Sequence, residues 1–492
     1  MEHYDLIVIG GGPSGYAGAM RAIDFGKKVL IIEKYKIGGA GVYNGVLASK
    51  TLWEHAIKVQ IAKELSPDFK PNFNDVSKIV NEAVFERKTQ MTVHLQILQK
   101  QNDRLLFYEK GEGYLLDKNI VQITKEDGSI KKVSTENILI TTGSRPRKPA
   151  NIIVDENIIL TSDGVKNLTS FPKSMVVLGA GVIGCEFATI FSLLGNTKVS
   201  LIDKADRILP FEDEDVTQII ETNLEKHGCR LHHGASLQRM NIVDGEVEYE
   251  LKYKDGKTEV FRVEKALVSI GREPNIEGIG LENAGVKLNE RGCIWDDDTQ
   301  TNISNIYVAG DVTTEVALVN VGEREGRHAV VRMFGPIVKP LSYKNISTIM
   351  FLNPEVAAVG MNEQECRAKG IPHKVVKLDF ATNARAIAMR KTNGFFKIIV
   401  TNDNGMRILG MRVVGEHASS AIQAVAYLIH TNQGIRELAD MMHPHPSIIE
   451  GVQECLRMLL NKSVYKPYVF KDRLKCYVCE NGICTPIEHL VN

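Results

Sequence analysis

Three glycines with the spacing G-x-G-x-x-G follow an apolar segment near the start of the chain, at Gly10, Gly12 and Gly15. In such a turn the first glycine permits the tight bend, the second lets a phosphate approach the backbone, and the third allows a helix to pack closely on a strand. Glu33 ends the next apolar segment, where a carboxylate can bind the hydroxyl groups of a ribose. This order of elements predicts a dinucleotide-binding unit with the phosphates at the helix N-terminus.

A second segment repeats this design at Gly179, Gly181 and Gly184, and its second strand ends on Asp203. A carboxylate at this position accepts a hydrogen bond from a free 2′-hydroxyl and repels a 2′-phosphate, so the sequence favours NAD over NADP. The neighbouring Lys204 weakens that preference. Two dinucleotide units in one chain indicate electron transfer between two cofactors, one of which we expect to be FAD.

The elements around these turns predict an α/β fold. Each repeat reads as a βαβ unit of about 30 residues, the size of one parallel crossover, over Asp5–Glu33 and Ser174–Asp203. Residues 52–101 predict long amphipathic helices, and the segment after Lys265 predicts short strands and glycine-containing turns. Beyond about Asn345 strands alternate with helices, which predicts a separate α+β domain.

The composition is that of a globular protein, with 43% apolar and 24% charged residues. The length of 492 residues predicts about three or four domains. Because 60 basic residues balance 60 acidic ones, binding of nucleic acid or of an anionic membrane through bulk charge is not expected. The apolar segment 175–195 contains Glu186 and several glycines, so we do not interpret it as a membrane span. No signal or transit peptide is recognisable, and we expect a cytoplasmic protein.

Five further motifs occur in an order that is similar to a known family. They are ILITTGSRP (Ile138–Pro146), SIGREPN (Ser269–Asn275), NIYVAGD (Asn305–Asp311), FLNPEVAAVG (Phe351–Gly360) and HPHPSIIE (His443–Glu450). Together with the two glycine turns, the chain resembles the class I pyridine nucleotide–disulfide oxidoreductase family, and within it the dihydrolipoamide dehydrogenases, from about residue 4 to residue 460.

This resemblance implies two cofactor sites. It places FAD on the first unit, with Gly113, Gly143 and Asp311 completing the site. It places NAD(P)H on the second unit, with Gly271 near that cofactor.

The resemblance also implies catalytic side chains. Lys50 is expected to approach the flavin, with Glu186 as its acidic neighbour. Such a pair can also be retained for purely structural reasons, because breaking a buried ion pair costs about 3–5 kcal/mol. In the family, a carboxylate corresponding to Glu450 orients an imidazole corresponding to His445, which moves a proton to or from the substrate. The alternative role for this pair is an inherited hydrogen bond at a dimer interface.

The resemblance further implies a homodimer in which this His–Glu pair reaches the flavin of the other subunit. The predicted architecture is two Rossmann-like dinucleotide-binding domains followed by an α+β dimerisation domain. The predicted boundaries are 1–150 for the FAD-binding domain, 151–275 for the NAD(P)-binding domain, 276–345 for a segment completing the FAD site, 346–465 for the dimerisation domain and 466–492 for a cysteine-containing tail without clear periodicity.

One family motif is altered in this chain. Family members carry a redox pair in G-G-T-C-x-N-x-G-C-x-P-S-K, whereas Gly38 to Lys50 read GGAGVYNGVLASK. Gly41 and Val46 occupy the two cysteine positions, and Ala48 replaces the proline. Neither glycine nor valine forms a thiolate, so electrons cannot pass from flavin to a disulfide at this place.

The tail contains Cys476, Cys479, Cys484 and His489. Their spacing approximates a zinc knuckle with three thiolates and one imidazole. Alternatively, Cys479 and Cys484 form a tail disulfide that visits the partner's active site, as in thioredoxin and mercuric reductases. A third interpretation is a loose tail of reduced thiols, and we therefore assign no metal ligand from the sequence.

The most favoured function is an FAD-dependent oxidoreductase that passes hydride from NADH to flavin N5 and then to an acceptor without the usual proximal disulfide. The acceptor would be a quinone, a dye, oxygen, a second nicotinamide or the tail disulfide. The alternatives are a soluble transhydrogenase, a quinone or diaphorase-type reductase, a dihydrolipoamide dehydrogenase and a non-catalytic flavoprotein scaffold.

Overall fold

The structure is a computed structural model that describes residues 1–43, 45–313 and 316–487. The chain divides into two compact units, of which the first contains Met1–Phe171 and Leu267–Leu341, and the second contains Pro172–Ala266 and Ser342–Asn492. Among the described residues, none of the helices has the length and apolar character needed to cross a lipid bilayer.

Runs of helices and runs of strands follow one another along the described residues. The helices of the described residues are α1 (Pro13–Asp24), α2 (Gly39–Val42), α3 (Val46–Leu65), α4 (Phe73–Gln101), α5 (Val182–Leu194), α6 (Glu214–Lys226), α7 (Leu281–Ala284), α8 (Val319–Phe334), α9 (Glu363–Ala368), α10 (Ala384–Met389), α11 (Ala418–Ala421), α12 (Gln423–Thr431), α13 (Arg436–Asp440) and α14 (Ile449–Leu459). The strands are β1 (Glu2–Ile9), β2 (Val29–Glu33), β3 (Leu106–Lys110), β4 (Glu112–Leu115), β5 (Ile120–Thr124), β6 (Ile130–Ile140), β7 (Ser144–Pro146), β8 (Ile159–Thr161), β9 (Ser174–Leu178), β10 (Lys198–Ile202), β11 (Arg230–His232), β12 (Ala235–Val243), β13 (Glu246–Tyr253), β14 (Thr258–Val263), β15 (Lys265–Val268), β16 (Arg272–Pro274), β17 (Ile306–Val308), β18 (Ser347–Met350), β19 (Val356–Gly360), β20 (His373–Asp379), β21 (Phe395–Thr401), β22 (Ile408–Val414), β23 (Leu474–Glu480) and β24 (Ile483–Pro486).

The first unit is built on a sheet with the strand order β3-β2-β1-β6-β5-β4, and β17 also pairs with β6. Strands β3, β2, β1, β6 and β17 are parallel, whereas β4 and β5 form an antiparallel extension. Every residue of β2 is buried, which is why its sequence is an apolar run rather than an alternating pattern. The predicted βαβ unit is confirmed as β1, α1 and β2, and the α/β fold class is confirmed with it.

Helix α8 was not predicted, because its two glycines lower the intrinsic helix propensity of the segment. The expectation of only strands and turns after Lys265 is wrong here. The same glycines let α8 approach α1 closely. A Cβ at Gly322 would lie 2.3 Å from Oγ of Ser14, and a Cβ at Gly326 would lie 2.1 Å from its carbonyl oxygen. Tertiary packing therefore stabilises a helix that local propensity does not indicate.

The long helices predicted for residues 52–101 are confirmed as α3 and α4, although α3 is not amphipathic. Two prolines, Pro67 and Pro71, lie between them, and proline ends a helix because its nitrogen carries no hydrogen. The side chain of Asn72 caps α4 by accepting hydrogen bonds from the backbone N–H groups of Asn74 and Asp75. Helix α3 carries Lys50, one of the predicted catalytic residues.

The second unit contains the second predicted βαβ unit, which is confirmed as β9, α5 and β10. Strands β9, β10 and β11 are parallel, and β12, β13 and β14 form an antiparallel sheet. Most residues of α5 are buried, including Glu186. Because α5 is buried inside the protein, its sequence is strongly apolar without crossing a membrane.

The same unit contains a larger sheet with the strand order β18-β19-β22-β21-β20-β23-β24, in which neighbouring strands are antiparallel. Apolar residues of this sheet pack against α11, α12 and α14 in one core. The expectation that residues from 466 onward lack regular structure is wrong for 474–486, which form the hairpin of β23 and β24. Leu474 and Cys476 face the core, but the short strands made this alternation too brief to recognise.

Four basic residues cross the sheet in one row, because Lys475, Lys377, Lys397 and Arg412 are directly opposite one another on β23, β20, β21 and β22. Directly opposite residues of antiparallel strands lie on the same face. The charges of this row require acidic partners where the row is buried.

The acidic partners come from the residues at the start of α6. Lys397 is 1% exposed, and its Nζ lies 2.8 Å from Oδ2 of Asp213 and 2.7 Å from Oδ1 of Asp215. Lys377 Nζ lies 2.8 Å from the other oxygen of Asp215. Burial alone would raise the pKa of Asp215, but Lys397 and Lys377 outweigh burial and hold it below its usual value.

We expect Asp215→Asn to lower the free energy of unfolding by about 2 kcal/mol at pH 7, since a hydrogen bond to a charged group contributes about 1.5–3 kcal/mol. Because the pKa of Asp215 is lower in the folded chain, its stabilisation is present above the unfolded value of about 3.9 and is lost as the pH falls through the folded pKa. The difference from wild type should therefore shrink below about pH 5. Urea denaturation followed by circular dichroism measures it.

The matched control is Asp472→Asn, which changes an exposed carboxylate of the same unit. It should alter the free energy of unfolding by less than about 0.5 kcal/mol. The assigned role of Asp215 would be contradicted if the free energies of unfolding of Asp215→Asn and wild type differed by the same amount from pH 7 to pH 3.

Candidate functional site

The first glycine turn joins β1 to α1 and leaves no room for side chains at two of its three glycines. A Cβ at Gly10, whose φ is 107°, would lie 2.3 Å from the carbonyl oxygen of Thr141. A Cβ at Gly15 would lie 2.0 Å from the carbonyl oxygen of Gly10. A Cβ at Gly12 would meet no atom within 4 Å, so the space beside this residue is open. Since the first backbone N–H groups of α1 have no partner within the helix, this cradle fits a pyrophosphate such as that of FAD.

The acid that ends β2 is fixed beside this turn. Oε2 of Glu33 accepts a hydrogen bond from the Gly11 N–H at 2.7 Å, and Oε1 accepts one from the Tyr35 N–H at 2.7 Å. Both carboxylate oxygens therefore have backbone donors. Strand β1, the turn, helix α1 and the acid at the end of β2 therefore lie together in the folded chain, as their order in the sequence predicts.

The two additional glycines of the predicted FAD site differ in their surroundings. Gly113 lies on β4, and a Cβ there would be 3.1 Å from the side chain of Ile9, so this glycine permits close packing. Gly143 has a φ of 68° and would meet no atom within 4 Å. Its conformation favours glycine, while the space next to it is open to a ligand.

Asp311 is part of a polar network that the sequence analysis did not include. Ser144 donates from Oγ to Oδ2 of Asp311 at 2.7 Å, and Arg272 Nε donates to the same hydroxyl oxygen at 2.7 Å. Arg272 also donates to the backbone carbonyl of Ser144 at 2.8 Å, and its Nε lies 3.9 Å from Asp311. The sheet of β7 and β16 brings these residues together. Ser144 lies in the motif ILITTGSRP and Arg272 in the motif SIGREPN, so both residues could have been proposed as site residues from the sequence.

Glu325 is a second residue that the sequence analysis missed. It is buried on α8, and its Oε2 accepts a hydrogen bond from the Gly310 N–H at 2.7 Å. This contact holds the backbone immediately before Asp311. It could not be found from sequence because α8 itself was not predicted.

The second glycine turn repeats the geometry of the first. Gly179 has a φ of 101°, Gly181 would tolerate a Cβ with no atom within 4 Å, and Gly184 is buried in α5. Asp203 accepts hydrogen bonds from the N–H groups of Ala180, at 2.7 Å, and Ala205, at 2.8 Å. The open space at the second glycine fits the pyrophosphate of a nicotinamide dinucleotide.

The remaining predicted site residues, of the flavin environment and of the nicotinamide site, lie on separate elements. Lys50 is half-buried on α3, and Gly271 has a φ of 107° with open space around it. Glu186 is buried on α5, and its Oε1 accepts a hydrogen bond from the Phe351 N–H at 3.0 Å. Lys50 and Glu186 belong to different compact units, so the predicted pairing between them stays a prediction.

The two residues predicted to occupy the family's cysteine positions lie at neighbouring helices. Gly41 is in α2, and a Cβ at this position would lie 2.8 Å from Cγ of Pro13. Val46 is the first residue of α3, and its side chain is 44% exposed. A side chain at position 41 would require Pro13 to move, so the backbone here accommodates glycine.

His445 and Glu450 are brought together as predicted. Nδ1 of His445 and Oε1 of Glu450 are 2.8 Å apart, and the other carboxylate oxygen accepts a hydrogen bond from the Ser447 N–H at 2.8 Å. Burial raises the pKa of Glu450, but the hydrogen bonds from Ser447 and His445 outweigh it and lower the pKa overall. Because the ionised carboxylate only accepts, Nδ1 donates and Nε2 of the 70% exposed imidazole can accept a proton.

The tail cysteines do not form the predicted three-cysteine cluster. Cys479 and Cys484 form a disulfide across β23 and β24, whereas Cys476 is a free thiol in the core on the other face. The loose tail of reduced thiols is therefore wrong, and a zinc knuckle that includes Cys476 is wrong because successive strand residues face opposite sides. His489, the fourth residue of that cluster, lies outside the described residues.

Comparison with known proteins shows which family this chain is similar to. Residues 4–326 match the family model described as pyridine nucleotide-disulphide oxidoreductase, and residues 346–456 match its dimerisation domain. Dihydrolipoyl dehydrogenase of Corynebacterium glutamicum is 33% identical over 92% of this chain and 97% of its own length. Dihydrolipoyl dehydrogenase of Bacillus subtilis is 32% identical, with coverages of 94% and 99%.

A solved structure extends this agreement to three dimensions. LpdA from Mycobacterium tuberculosis superposes with a TM-score of 0.85 at 27% identity, over 93% of this chain and all of that one. A homodimer is typical of the matched dimerisation domain. The family match covers most of the chain, so the protein belongs to the pyridine nucleotide–disulfide oxidoreductase family and is an FAD-dependent NAD(P)H oxidoreductase.

Proposed function

We propose that this protein oxidises NADH and passes the electrons from FAD directly to an external acceptor, without a dithiol beside the flavin. The observation that carries the proposal is the pair Gly41 and Val46 at the positions of the family's redox cysteines. Disulfide exchange requires a thiolate, which neither residue can provide.

Residues 1–150 provide no substitute thiol, and Cys293, the one cysteine of residues 276–345, is a free thiol whose pKa is raised by burial. The first cysteine of the chain is Cys185, so residues 1–184 contain none. Cys185 is completely buried on α5, and burial raises its pKa well above the usual value, so the thiolate that exchange requires is disfavoured. Cys479 lies in the hairpin of β23, where it is buried and bonded to Cys484. These placements support direct transfer to the acceptor rather than transfer through protein thiols.

The proposed domain roles follow the predicted boundaries. Residues 1–150 and 276–345 hold FAD, residues 151–275 hold the nicotinamide cofactor, and residues 346–465 form the homodimer. When bound, the two cofactors supply hydride transfer from reduced nicotinamide to the flavin and delivery of electrons to the acceptor. The chain orients both dinucleotides through the open glycine cradles at Gly12 and Gly181.

His445 is the proposed proton donor to the acceptor, acting at the flavin of the partner subunit. The Glu450 carboxylate fixes the ring through Nδ1, and this leaves Nε2 as the atom that exchanges protons with solvent and acceptor. The lowered pKa of Glu450 keeps the carboxylate ionised throughout the neutral range. This arrangement suits an acceptor that takes up protons on reduction, such as a quinone.

Asp203 supports the proposal that NADH is the preferred donor. Its carboxylate is fixed at the end of β10 by the N–H groups of Ala180 and Ala205. A fixed negative charge at this position favours ribose hydroxyls and repels a 2′-phosphate. This preference argues against a transhydrogenase, which would use NADH and NADPH comparably.

The first test compares thiol-dependent and thiol-independent acceptors. We expect NADH-dependent reduction of a soluble quinone and no measurable oxidation of dihydrolipoamide by NAD. Alkylating the NADH-reduced enzyme with iodoacetamide should leave the quinone reductase rate unchanged, because no thiol takes part. A dihydrolipoyl dehydrogenase treated in parallel is the control, and lipoamide activity in this protein would refute the proposal.

His445→Gln should lower the rate with the quinone by about a hundredfold or more, since general acid catalysis contributes about 10²–10⁴. The rate with ferricyanide, which accepts one electron and no proton, should stay at the wild-type value. His443→Gln changes a histidine two positions away and is the matched control. If His445→Gln left the quinone rate unchanged in steady-state assays, His445 would have no role in proton transfer.

Asp203→Asn should lower the ratio of kcat/KM for NADH to kcat/KM for NADPH by at least about tenfold, because a charged hydrogen bond is worth about 1.5–3 kcal/mol. The asparagine side chain keeps the acceptor oxygen but removes the charge. Lys204→Gln is the control for the neighbouring charge and should shift the ratio toward NADH. An unchanged ratio in Asp203→Asn would show that this carboxylate does not discriminate between the two donors.

A further inference from the structure

A row of potential metal ligands crosses the outer part of the large sheet. Cys484 on β24 is directly opposite Cys479 on β23, and Cys479 is directly opposite His373 on β20. Residues that are directly opposite in antiparallel strands present their side chains on the same face. Glu363, the first residue of α9, adds a carboxylate on this face.

The donor atoms of this row are close together. One atom each from Glu363, His373 and Cys479 lies within 4.8 Å of the other two, and all three residues are buried. The fourth donor, Sγ of Cys484, is bonded to Sγ of Cys479. A tetrahedral zinc ion with bonds of about 2.0–2.3 Å needs donors about 3.3–3.8 Å apart. Side-chain adjustments of about 1 Å would therefore bring the donors of Glu363, His373 and Cys479 to these distances.

His373 carries a buried lone pair that no hydrogen bond among the described residues uses. The residue is 1% exposed, and its Nδ1 lies 2.6 Å from the carbonyl oxygen of Ile371. Because a carbonyl oxygen only accepts, Nδ1 carries the hydrogen and Nε2 carries the lone pair. Nε2 is buried and has no hydrogen-bond partner among residues 1–43, 45–313 and 316–487. Leaving such an atom unpaired is unfavourable, so its position points to a ligand.

Glu363 is held in place by neighbouring side chains. The Tyr477 hydroxyl donates to Oε2 at 2.8 Å, and Arg367 donates to Oε1. Lys397 Nζ lies 3.5 Å from Oε2. Partners of this kind orient a carboxylate ligand and offset the charge of a site with two thiolates.

We propose that reduction of the Cys479–Cys484 disulfide creates a zinc site whose ligands are both thiolates, Nε2 of His373 and a carboxylate oxygen of Glu363. An external dithiol supplies two electrons and two protons, and it becomes a disulfide while the S–S bond of the hairpin breaks. Binding of Zn²⁺ then releases the two thiol protons, because zinc binds thiolates. Two sulfurs, one nitrogen and one oxygen form a closed tetrahedral set that suits Zn²⁺.

This site would couple the redox state of the hairpin to zinc. In the disulfide form neither sulfur is a thiolate, so the four-ligand zinc site exists only after the disulfide is reduced. Zinc therefore favours the reduced hairpin by mass action. Free zinc at 100 times its Kd would favour the reduced form about a hundredfold, which raises the midpoint potential of this two-electron couple by about 59 mV.

The test uses the full-length, FAD-loaded protein in two redox states. One sample is reduced with a phosphine and desalted without oxygen, and the other keeps its disulfide. Both are titrated with Zn²⁺ against a chromophoric chelator, and with Co²⁺ to detect thiolate-to-metal charge-transfer absorption. We expect one tightly bound zinc per subunit and the charge-transfer band in the reduced sample only. The six other cysteines are free thiols in both samples, so the difference isolates this pair.

Variants distinguish the proposed ligands from other thiols. His373→Gln should weaken zinc binding about a hundredfold or more, since each ligand supplies a large share of the binding free energy. Cys476→Ala, on the opposite face of the same strand, should keep one zinc with unchanged affinity. Absence of the Co²⁺ band in the reduced wild type overturns the proposal even if variants fail to fold. Equal zinc binding by the reduced and disulfide forms, or by His373→Gln and wild type, also overturns it.

Discussion

A close approach of backbone to backbone constrains the first glycine turn, on which the predicted FAD site depends. At Gly10 a single Cβ would collide with the carbonyl oxygen of Thr141, which is contributed by the end of β6 in the same sheet. The turn can therefore form only without side chains, and it leaves the first N–H groups of α1 directed at open space. The N–H of Gly11 is held by Glu33 in the first unit, and that of Ala180 by Asp203 in the second. The same order of turn, helix and acid therefore occurs in both units, and in each of them the space beside the second glycine is open.

Sequence reasoning succeeded where function and local structure depend on the same residues. The glycine turns and the acids at Glu33 and Asp203 could be predicted because each combines a local pattern with a specific chemical requirement. The His445–Glu450 contact was predicted from the family resemblance. Sequence reasoning failed where tertiary packing determines the element. Helix α8 is weak by propensity but packs on α1 through Gly322 and Gly326. The hairpin of β23 and β24 is too short for a periodic pattern, and it is stabilised by pairing with β20.

Cysteines are distributed unevenly along the chain. Residues 1–184 contain no cysteine, and the structure puts glycine at a position where a Cβ would crowd Pro13. The chain's disulfide of Cys479 and Cys484 lies instead in the sheet of the second unit, beside His373 and Glu363. We infer that electron transfer and thiol chemistry, which the family combines beside the flavin, are assigned to different places in this protein.

Direct transfer from flavin to acceptor is most directly tested by counting electrons. The FAD-loaded protein would be titrated with NADH in the absence of oxygen while flavin absorbance and free thiols are followed. The account predicts that two electrons per subunit complete the reduction, with bleaching of the flavin and no new thiols. Uptake of four electrons, with two thiols formed as flavin is reduced, would contradict it and would show that a disulfide takes part in the transfer.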